Sequence, residues 1–297
     1  MRVLLTGATG FIGAHVAGAL VARGAEVHGL ALPGAPRDRL ADIASRMELH
    51  EGDLSNAAWT RAAVGRVAPD AVIHLAWYAE PGTYLRAVPE NMASLRGGIN
   101  LLEALTDGGT CRRVVVAGTC LENLATPRPT IYAAAKAAQH QLAMGFAAAS
   151  FTAACAHIHY LYGPGEDDRR VIPAVTRSLL LGEPIDLTSG SQSRDYLHVS
   201  DIAEALCRIA ESDVTGRVDI CTGKPVTLRD VFEEIGRATG APELLRIGAL
   251  PDSESNGWPA TGDPTALLAT GWQPRYDLEL GIRETTAWWA GRIAAGS

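Results

Sequence analysis

The stretch RVLLTGATGFIG, residues 2–13, combines a short apolar run, a glycine-rich turn and the beginning of a helical pattern. The run RVLLT is typical of a buried strand, and Gly7, Gly10 and Gly13 follow it with the spacing TGxxGxxG. Glycines in such a turn let the backbone approach a pyrophosphate, while the next helix offers N–H groups and a positive dipole end. A tight glycine turn can be purely structural, but its place between a first strand and a first helix favours dinucleotide binding.

Strand and helix patterns alternate along the first half of the chain. Helices are predicted at about 12–23, at 86–105 and around Tyr132, and strands at 2–6, 25–31, 47–53, 70–77, 112–118 and 152–161. Strands separated by helices of this length form βαβ units, so the sequence predicts an α/β fold with a doubly wound parallel sheet.

The regular alternation ends after YGPGEDD, residues 162–168. We therefore predict two domains, a nucleotide-binding domain over 1–161 and a mainly substrate-binding, smaller lobe over 162–297, some segments of which return to the sheet. Within the lobe, Thr227 and Asp230 resemble a capping box at the start of a helix that ends at a glycine. The lobe is expected to fold over the carboxyl edge of the sheet, where α/β proteins bind ligands.

Composition narrows the functional classes. The chain has 297 residues, 47% of them apolar, and a net charge of −7, which argues against a nucleic-acid binder. No apolar run is long enough for a membrane helix, and the first residues lack the pattern of a signal peptide, so a soluble cytoplasmic protein is expected. The five cysteines are scattered without a CxxC pair, which indicates neither a disulfide framework nor a structural zinc site.

The stretch IYAAAKAA, residues 131–138, contains the second functional signal. Tyr132 and Lys136 are four residues apart on a predicted helix, so both side chains can address one ligand. Only Lys136 and Lys224 are lysines among the 26 lysine and arginine residues, so this chain uses arginine almost everywhere else. Arginine cannot replace a compact ammonium. The pair therefore favours catalysis, with the ammonium and a cationic nicotinamide expected to lower the pKa of the tyrosine.

The glycine turn and the Tyr-x3-Lys pair, taken with further segments in the same order, make the chain resemble the extended short-chain dehydrogenase/reductase superfamily. Within it, the chain is most similar to the sugar-nucleotide epimerase/dehydratase/reductase family. The segments that carry the resemblance are GDL (52–54), HLAW (74–77), ENMASLRGG (90–98), VVVAGTC (114–120), YGPGED (162–167), SRDYLHVSD (193–201) and LLATGWQP (267–274). The resemblance implies a Rossmann-type sheet and a nicotinamide cofactor.

The resemblance also implies roles for individual residues. The catalytic set is Thr119, Tyr132 and Lys136. The implied cofactor contacts are Gly7, Gly10, Phe11, Ile12, Gly13, Arg37, Asp53, Leu54, Leu75, Ala76, Trp77, Asn91, Tyr132, Lys136 and His159. The implied substrate contacts are Trp77, Thr119, Cys120, Tyr160, Ile172 and Arg194. The last of these matches the arginine that grips the substrate diphosphate in the family, although an ion pair with Asp195 or Asp201 is a simpler role.

Departures from the family pattern leave parts of the pocket unspecified. The positions where the family often has an arginine and an asparagine are His157 and Tyr160, and the second diphosphate arginine is absent around 253–263. Cys155, His157 and His159 alternate along one predicted strand, which could suggest a metal. We predict no metal, since no carboxylate or further ligand is spaced to complete a site.

Three family reactions compete for this chain. A 4,6-dehydratase has Asp-Glu directly after its catalytic threonine, whereas Thr119 is followed by Cys120 and Leu121, and Glu122 is one position too far. An epimerase keeps NAD bound and usually ends its second strand in an acidic residue that binds the ribose diol. Here Ala31 and Leu32 occupy that position.

The cofactor end of the second strand favours NADP(H) over NAD(H). No carboxylate is in register to bind a ribose diol, and Arg37 and Arg39 follow shortly after, as expected for a 2′-phosphate. These arginines could instead only solvate a loop. NADPH in turn favours net reduction.

The resemblance is greatest to nucleotide-deoxysugar 4-ketoreductases. We therefore expect reduction of the C4 carbonyl of an NDP-4-keto-6-deoxyhexose, with a dTDP-linked nucleotide sugar as substrate. An NDP-sugar epimerase with bound NAD, and a noncatalytic cofactor-sensing binding protein, remain the alternatives. A homodimer through helices near 90–105 and 135–150 is expected from the family, with neither nucleic acid nor membrane as a partner.

Overall fold

The computed structural model describes residues 1–123, 129–252, 258 and 260–296. They form two compact units. The first consists of Met1–Ile158, Ile202–Ile220 and Thr265–Trp272, and the second of His159–Asp201, Cys221–Pro264 and Gln273–Ser297. Within the described ranges, no helix has the length and apolar character needed to cross a membrane.

The first unit is built on a seven-stranded parallel sheet. Its strands are β1 (Arg2–Thr6), β2 (Glu26–Ala31), β3 (Glu48–Glu51), β4 (Ala71–His74), β5 (Arg113–Thr119), β6 (Thr152–Ile158) and β11 (Gly216–Ile220). Their order is β11-β6-β5-β4-β1-β2-β3, and every neighbouring pair is parallel. The order reverses between β1 and β4, as in doubly wound nucleotide-binding folds, so the predicted fold class is confirmed.

Helices cover both faces of this sheet, because right-handed crossovers on the two sides of β1 place their helices on opposite faces. The helices of the first unit are α1 (Phe11–Ala22), α2 (Ala57–Val67), α3 (Val88–Gly108), α4 (Ile131–Ala147), most of α6 (Val199–Glu211) and α8 (Thr265–Leu268). Residues of α2, α3 and α4 share one buried apolar core with alternate residues of the strands. Arg23, at the end of α1, forms ion pairs with Glu204 and Glu211 of α6.

The second unit contains short strands and three helices around its own core. The strands β7 (Tyr160–Tyr162) and β10 (Tyr196–His198) are parallel, as are β8 (Ile185–Leu187) and β13 (Leu245–Ile247), whereas β9 (Ser193–Arg194) and β12 (Val226–Thr227) are antiparallel. The helices are α5 (Val171–Leu180), α7 (Leu228–Thr239) and α9 (Leu278–Ala294), which pack around Phe232. The predicted capping box at Thr227 and Asp230 is confirmed, and α7 ends at Gly240 with φ +72°.

Two details differ from the sequence prediction. The predicted strand 152–161 is two strands, since β6 ends at Ile158 and Tyr160–Tyr162 pairs with β10 in the second unit. The division at residue 161 therefore assigns 159–161 to a different unit from the one in which they lie. Both halves have strand-like sequences, and only nonlocal pairing separates them.

Candidate active site

The glycine turn after β1 is closed by its own backbone. Gly7 has φ +69°, and the Gly10 N–H donates to the Gly7 carbonyl at 3.0 Å. A Cβ at Gly13 would lie 2.0 Å from that carbonyl oxygen, so only glycine fits there. Helix α1 begins at Phe11 with no acidic residue in its first turn, which leaves its positive end for an anion. The turn therefore fits the pyrophosphate of a dinucleotide.

Thr6 fixes the neighbouring loop after β4 and was missed by the sequence prediction. Its hydroxyl accepts the backbone N–H groups of Leu75 and Ala76 at 3.1 and 3.0 Å. The same hydroxyl is 2.7 Å from His74 Nδ1. Because its two lone pairs already accept the two N–H groups, the hydroxyl donates its hydrogen to this nitrogen. Burial lowers the pKa of His74 to about 3, so the ring is neutral. The loop in which cofactor contacts are predicted is thus held at the end of β1 by one buried hydroxyl.

Asn91 holds the Trp77 side chain. Its Oδ1 accepts the indole N–H of Trp77 at 2.9 Å, and its amide hydrogens go to the carbonyls of Tyr84 and Ala87, both at 2.7 Å. Asn91 is fully buried. Both amide hydrogens are therefore used within the protein, and the predicted cofactor contact of Asn91 would have to use a remaining lone pair of Oδ1.

The structure brings Thr119, Tyr132 and Lys136 together in the first unit. Thr119 is the last residue of β5, and its side chain is near enough to the Tyr132 hydroxyl to act on the pKa of the phenol. Tyr132 is in the first turn of α4, which Thr130 caps by accepting the Ala133 N–H at 3.1 Å. One helical turn later, Lys136 Nζ donates to the Ala117 carbonyl at 2.8 Å. The predicted arrangement on one helix face is confirmed.

Aromatic side chains enclose the tyrosine. The Tyr84 and Trp77 rings meet the Tyr132 ring edge to face, with centroids 4.9 and 6.3 Å away. Burial raises the pKa of Tyr132, with the nearby Tyr84 as the next cause, and outweighs the influence of Thr119, which lowers that pKa. The expectation of a lowered pKa is therefore wrong for the protein groups alone. The tyrosine is a neutral phenol at neutral pH, which is the form a proton donor needs.

Burial also disfavours the charged form of Lys136, so that the pKa of the lysine falls where that of the tyrosine rises. Its side chain is 5% exposed, and burial lowers its pKa to about 7, with Glu122 acting in the other direction. The ammonium nitrogen lies 4.1 Å from the centroid of the Trp77 ring, which favours the charged form. The lysine can therefore change its charge near neutral pH.

Glu122 supports the backbone of Thr119. It lies in a 3-10 turn, Cys120–Asn123, and its Oε1 accepts the Thr119 N–H at 2.8 Å. Burial would raise the pKa of Glu122, but hydrogen bonds with His140 and His157 and the Thr119 N–H hold it at about 2. The carboxylate is therefore ionised, and both of its oxygens have partners within the protein.

The same contacts correct the prediction about His157. We expected no carboxylate or further ligand near it, yet Glu122 Oε2 and His140 Nδ1 both lie 3.1 Å from His157 Nε2. The three residues are far apart in sequence and meet only because β5, β6 and α4 are neighbours in the fold. Residues Lys136 and His140, four apart on one helix face, were the available signal.

The adenosine end of the predicted cofactor site is at the ends of β2 and β3. Strand β2 ends at Ala31, and Arg37 lies exposed in the following loop, where its Nη2 contacts Glu51 Oε1 at 2.5 Å. Glu51 is the register partner of Ala31 on β3. Asp53 accepts the Ser55 N–H at 2.8 Å, and Leu54 packs against the core.

Three residues of the second unit that are predicted to contact the substrate or the cofactor are buried. Ile172 is 2% exposed within the core, and Arg194 is 5% exposed with its guanidinium carbon 5.0 Å from the Tyr160 ring centroid. His159 lies in the same unit, also buried. Substrate and cofactor contacts of these residues stay predictions.

Asp195 and Asp201, the two carboxylates near Arg194 in sequence, accept several hydrogen bonds. Asp195 accepts hydrogen bonds from Thr222, Gly223 and Thr261, and Asp201 accepts the backbone N–H groups of Arg275 and Tyr276. The segment where the second diphosphate arginine is missing lies partly outside the described residues, at 253–257 and 259.

The chain is similar in sequence and in fold to known proteins. The chain is 28% identical to a dTDP-4-dehydro-6-deoxy-D-allose reductase from Streptomyces sp, over 97% of this chain and 95% of that protein. It is 25% identical to the CDP-abequose synthase of Salmonella muenchen over 43% of this chain and 44% of that protein. The crystal structure of the Thermus thermophilus UDP-glucose 4-epimerase in complex with NAD is similar, with a TM-score of 0.86, 27% identity and coverage of 98% and 99%. The sequence model of the NAD dependent epimerase/dehydratase family matches residues 3–221, so the chain belongs to this family.

Proposed function

We propose that this protein reduces the C4 keto group of an NDP-4-keto-6-deoxyhexose, with NADPH as the reductant and a dTDP-linked sugar as the substrate. The observation that carries the proposal is the buried, neutral Tyr132 hydroxyl, which lies near Thr119 and one helical turn from Lys136. Reduction consumes a proton at the carbonyl oxygen, and a phenol is a direct source of that proton.

Each protein group has a distinct task in this reaction. NADPH, when bound, supplies the hydride. The Thr119 hydroxyl hydrogen-bonds the substrate oxygen, and Tyr132 transfers its proton to the alkoxide oxygen that forms at C4. Positive charge on Lys136 stabilises the tyrosinate that remains after transfer. The aromatic side chains Trp77 and Tyr84 exclude water from the phenol, which strengthens these interactions.

Dehydration is disfavoured by the residues that follow Thr119. Cys120 and Leu121 are each 4% exposed, and neither can serve as a carboxylic acid. Glu122 is the first carboxylate after Thr119, and it is bound to the Thr119 N–H and two histidines. A carboxylate with these partners and a pKa of about 2 is a poor general acid near neutral pH.

The choice of NADPH rests on the ends of β2 and β3. Ala31 offers no carboxylate for a ribose diol, and Arg37 follows within reach of the same edge. A guanidinium is well suited to a 2′-phosphate, which would replace Glu51 as its partner.

An NDP-sugar epimerase with bound NAD is the second candidate, and Glu51 favours it. This carboxylate is on the neighbouring strand, in register with Ala31, and can accept hydrogen bonds from the hydroxyl groups of the ribose. The similar solved epimerase contains NAD.

The substrate class rests on the relatives, since the reductase from Streptomyces sp is similar over nearly the whole chain. Arg194 is proposed to bind the diphosphate, because a buried guanidinium over an aromatic ring is a suitable partner for phosphate oxygens. A homodimer through α3 and α4 stays a prediction, testable by light scattering.

Incubation with NADPH and dTDP-4-keto-6-deoxyglucose tests the proposal. Loss of NADPH absorbance in step with formation of a 4-hydroxy product supports reduction. Inversion at C4 of an added dTDP-sugar, without net oxidation of coenzyme, would establish the epimerase instead. Tyr132→Phe should lower kcat by roughly 10²–10⁴ while coenzyme binding persists. Tyr78→Phe is the matched control, since its hydroxyl contacts Thr83 outside the catalytic set.

A further inference from the structure

A buried triangle of potential metal ligands lies directly beneath Thr119. Glu122 Oε2 is 3.1 Å from His157 Nε2 and 3.3 Å from His140 Nδ1, and the two ring nitrogens are 3.1 Å apart. The side chains of Glu122, His140 and His157 are 3%, 16% and 1% exposed. Three atoms with lone pairs thus face one point with little access to solvent.

Hydrogen bonds alone cannot make all three contacts favourable. Each of the two ring nitrogens carries at most one hydrogen, and a carboxylate oxygen carries none. If both nitrogens donate to Glu122, two N–H groups lie side by side, 3.1 Å apart. If His140 donates to His157 instead, or the reverse, a nitrogen lone pair faces the carboxylate oxygen. A single cation at the centre makes every contact attractive.

We propose that Glu122, His140 and His157 bind a divalent metal ion, with Zn²⁺ as the ion that best suits the set. Imidazole nitrogens and a carboxylate oxygen are zinc ligands, at about 2.0–2.1 Å in tetrahedral sites. Ligand atoms at that distance are about 3.3 Å apart along each tetrahedral edge. The measured edges of 3.1, 3.1 and 3.3 Å match one face of such a tetrahedron, leaving the fourth position for water.

The surroundings supply outer partners of the kind that orient metal ligands. The second oxygen of Glu122 accepts the Thr119 N–H. On the other side of the His157 ring, Asp219 Oδ1 lies 3.8 Å from Nδ1, which is too long for a hydrogen bond, so this carboxylate acts on the ring only through its charge. Arg217 holds the carboxylate through two contacts of 2.7 and 2.8 Å. Gly118 leaves room, because a Cβ there would lie 2.7 Å from Glu122 Oε1 and 2.6 Å from the His157 ring.

The ion would tie together the elements that carry the catalytic residues. Glu122 follows β5, which ends in Thr119, and His140 is on α4 with Tyr132 and Lys136. His157 anchors both to β6. The ion would act as a positioning element, since none of its three ligands belongs to the catalytic set.

A second cluster in the first unit provides a matched control. His28, Glu48 and His50 meet with looser contacts of 3.1, 3.5 and 3.6 Å, and the Glu48 side chain is 62% exposed. His28 Nε2 donates to Glu26 at 3.0 Å and His50 Nε2 can donate to His28 Nδ1. The exposed Glu48 carboxylate is solvated by water, so its longer contacts with the two rings do not require an ion, unlike those of the buried Glu122. We therefore do not assign an ion to this cluster.

The test is calorimetric titration of the chelator-treated full chain with Zn²⁺. We expect one tightly bound ion per chain in the wild type and in the His28→Gln/His50→Gln control. His140→Gln should weaken binding by more than the about 10–100-fold that loss of an outer partner costs. Binding lost in the control but retained in His140→Gln would overturn the assignment. So would wild-type protein that binds no Zn²⁺, which would make the cluster a hydrogen-bond network only.

A measurement on the wild type covers the case in which a variant fails to fold. X-ray absorption of the Zn²⁺-loaded chain should show nitrogen and oxygen ligands with two imidazoles. A site with a sulfur ligand, or with one imidazole or none, would contradict the proposal. Both readouts are independent of turnover, so they remain valid even if the proposed reductase activity is wrong.

Discussion

The ammonium nitrogen of Lys136 lies 4.1 Å from the centroid of the Trp77 ring, inside a pocket where burial lowers the pKa of the lysine to about 7. The charged form predominates below that pKa and is lost as the pH rises through it. If the ammonium is needed for proton transfer, kcat/KM should fall on the alkaline side of about pH 7.

Trp77→Leu should move this alkaline limb to lower pH by roughly 0.5–1 unit, because the ring stabilises only the charged lysine. The measurement is kcat/KM against pH for both proteins. Trp288→Leu, on α9 of the second unit, is the control and should leave the limb in place. An unchanged limb in Trp77→Leu would show that this contact does not set the charge of the lysine.

Gly13→Ala should abolish dinucleotide binding. The added Cβ would lie 2.0 Å from the Gly7 carbonyl oxygen, so the turn after β1 must open. Gly18→Ala on the same helix is the control, since a Cβ there meets nothing within 4 Å. It should bind coenzyme normally and gain about 0.5–1 kcal/mol of stability from helix propensity. Calorimetric binding and thermal unfolding distinguish the two, and normal binding by Gly13→Ala would refute the assigned turn.

Arg37 and Glu51 should set coenzyme preference in opposite directions. Arg37→Ala should raise the KM for NADPH by about 10–100-fold and leave that for NADH nearly unchanged, since charged hydrogen bonds contribute about 1.5–3 kcal/mol. Glu51→Gln should lower the KM for NADPH, because it releases Arg37 from the 2.5 Å contact. A loss of NADH use in Glu51→Gln, with NADPH use unaffected, would instead favour the NAD-dependent epimerase.

Two neighbouring carboxyl groups should respond to pH with opposite signs. Burial raises the pKa of Glu166 to about 8, and its Oε2 has no hydrogen-bond partner among the described residues. Its folded pKa exceeds the ordinary value of 4.5, so stability should fall as pH rises from about 4.5 to 8. Glu166→Gln should therefore stabilise the protein little near pH 5 and by about 2–4 kcal/mol near pH 9.

Asp167 provides the contrast. Hydrogen bonds from Arg169 lower its pKa to about 2, so its stabilisation is present above its ordinary pKa and is lost as pH falls through 2. Asp167→Asn should destabilise the protein at neutral pH. Chemical unfolding from about pH 2 to 9 measures both variants, and equal effects of Glu166→Gln near pH 5 and near pH 9 would contradict the buried, protonated state.

Much of the fold could be predicted because local patterns determine it. Apolar runs separated by amphipathic helices can only be buried as strands of a covered parallel sheet, and the glycine turn identifies the first of them. The pairing of Gly216–Ile220 beside β6 and the break at His159 could not be predicted, because both depend on contacts between distant segments.

The candidate site was predictable where spacing along one helix decides it, as for Tyr132 and Lys136. The contacts of Glu122 with His140 and His157 come from three separate elements and have no signature in spacing. Whether the pKa of Tyr132 is raised or lowered depends on how completely Tyr84 and Trp77 bury the phenol, which composition does not indicate.

Transfer of deuterium from C4-deuterated NADPH tests the central claim most directly. With deuterium at both C4 positions of the nicotinamide, we expect dTDP-4-keto-6-deoxyglucose to yield a product with one deuterium at sugar C4, seen by mass spectrometry and NMR, with an equal amount of NADP⁺. Tyr132→Phe should give the same label at a much lower rate, because hydride transfer persists without its proton donor. Deuterated coenzyme left unchanged with the keto sugar, together with unlabelled inversion at C4 of a separately added dTDP-sugar that has a C4 hydroxyl, would contradict this reaction.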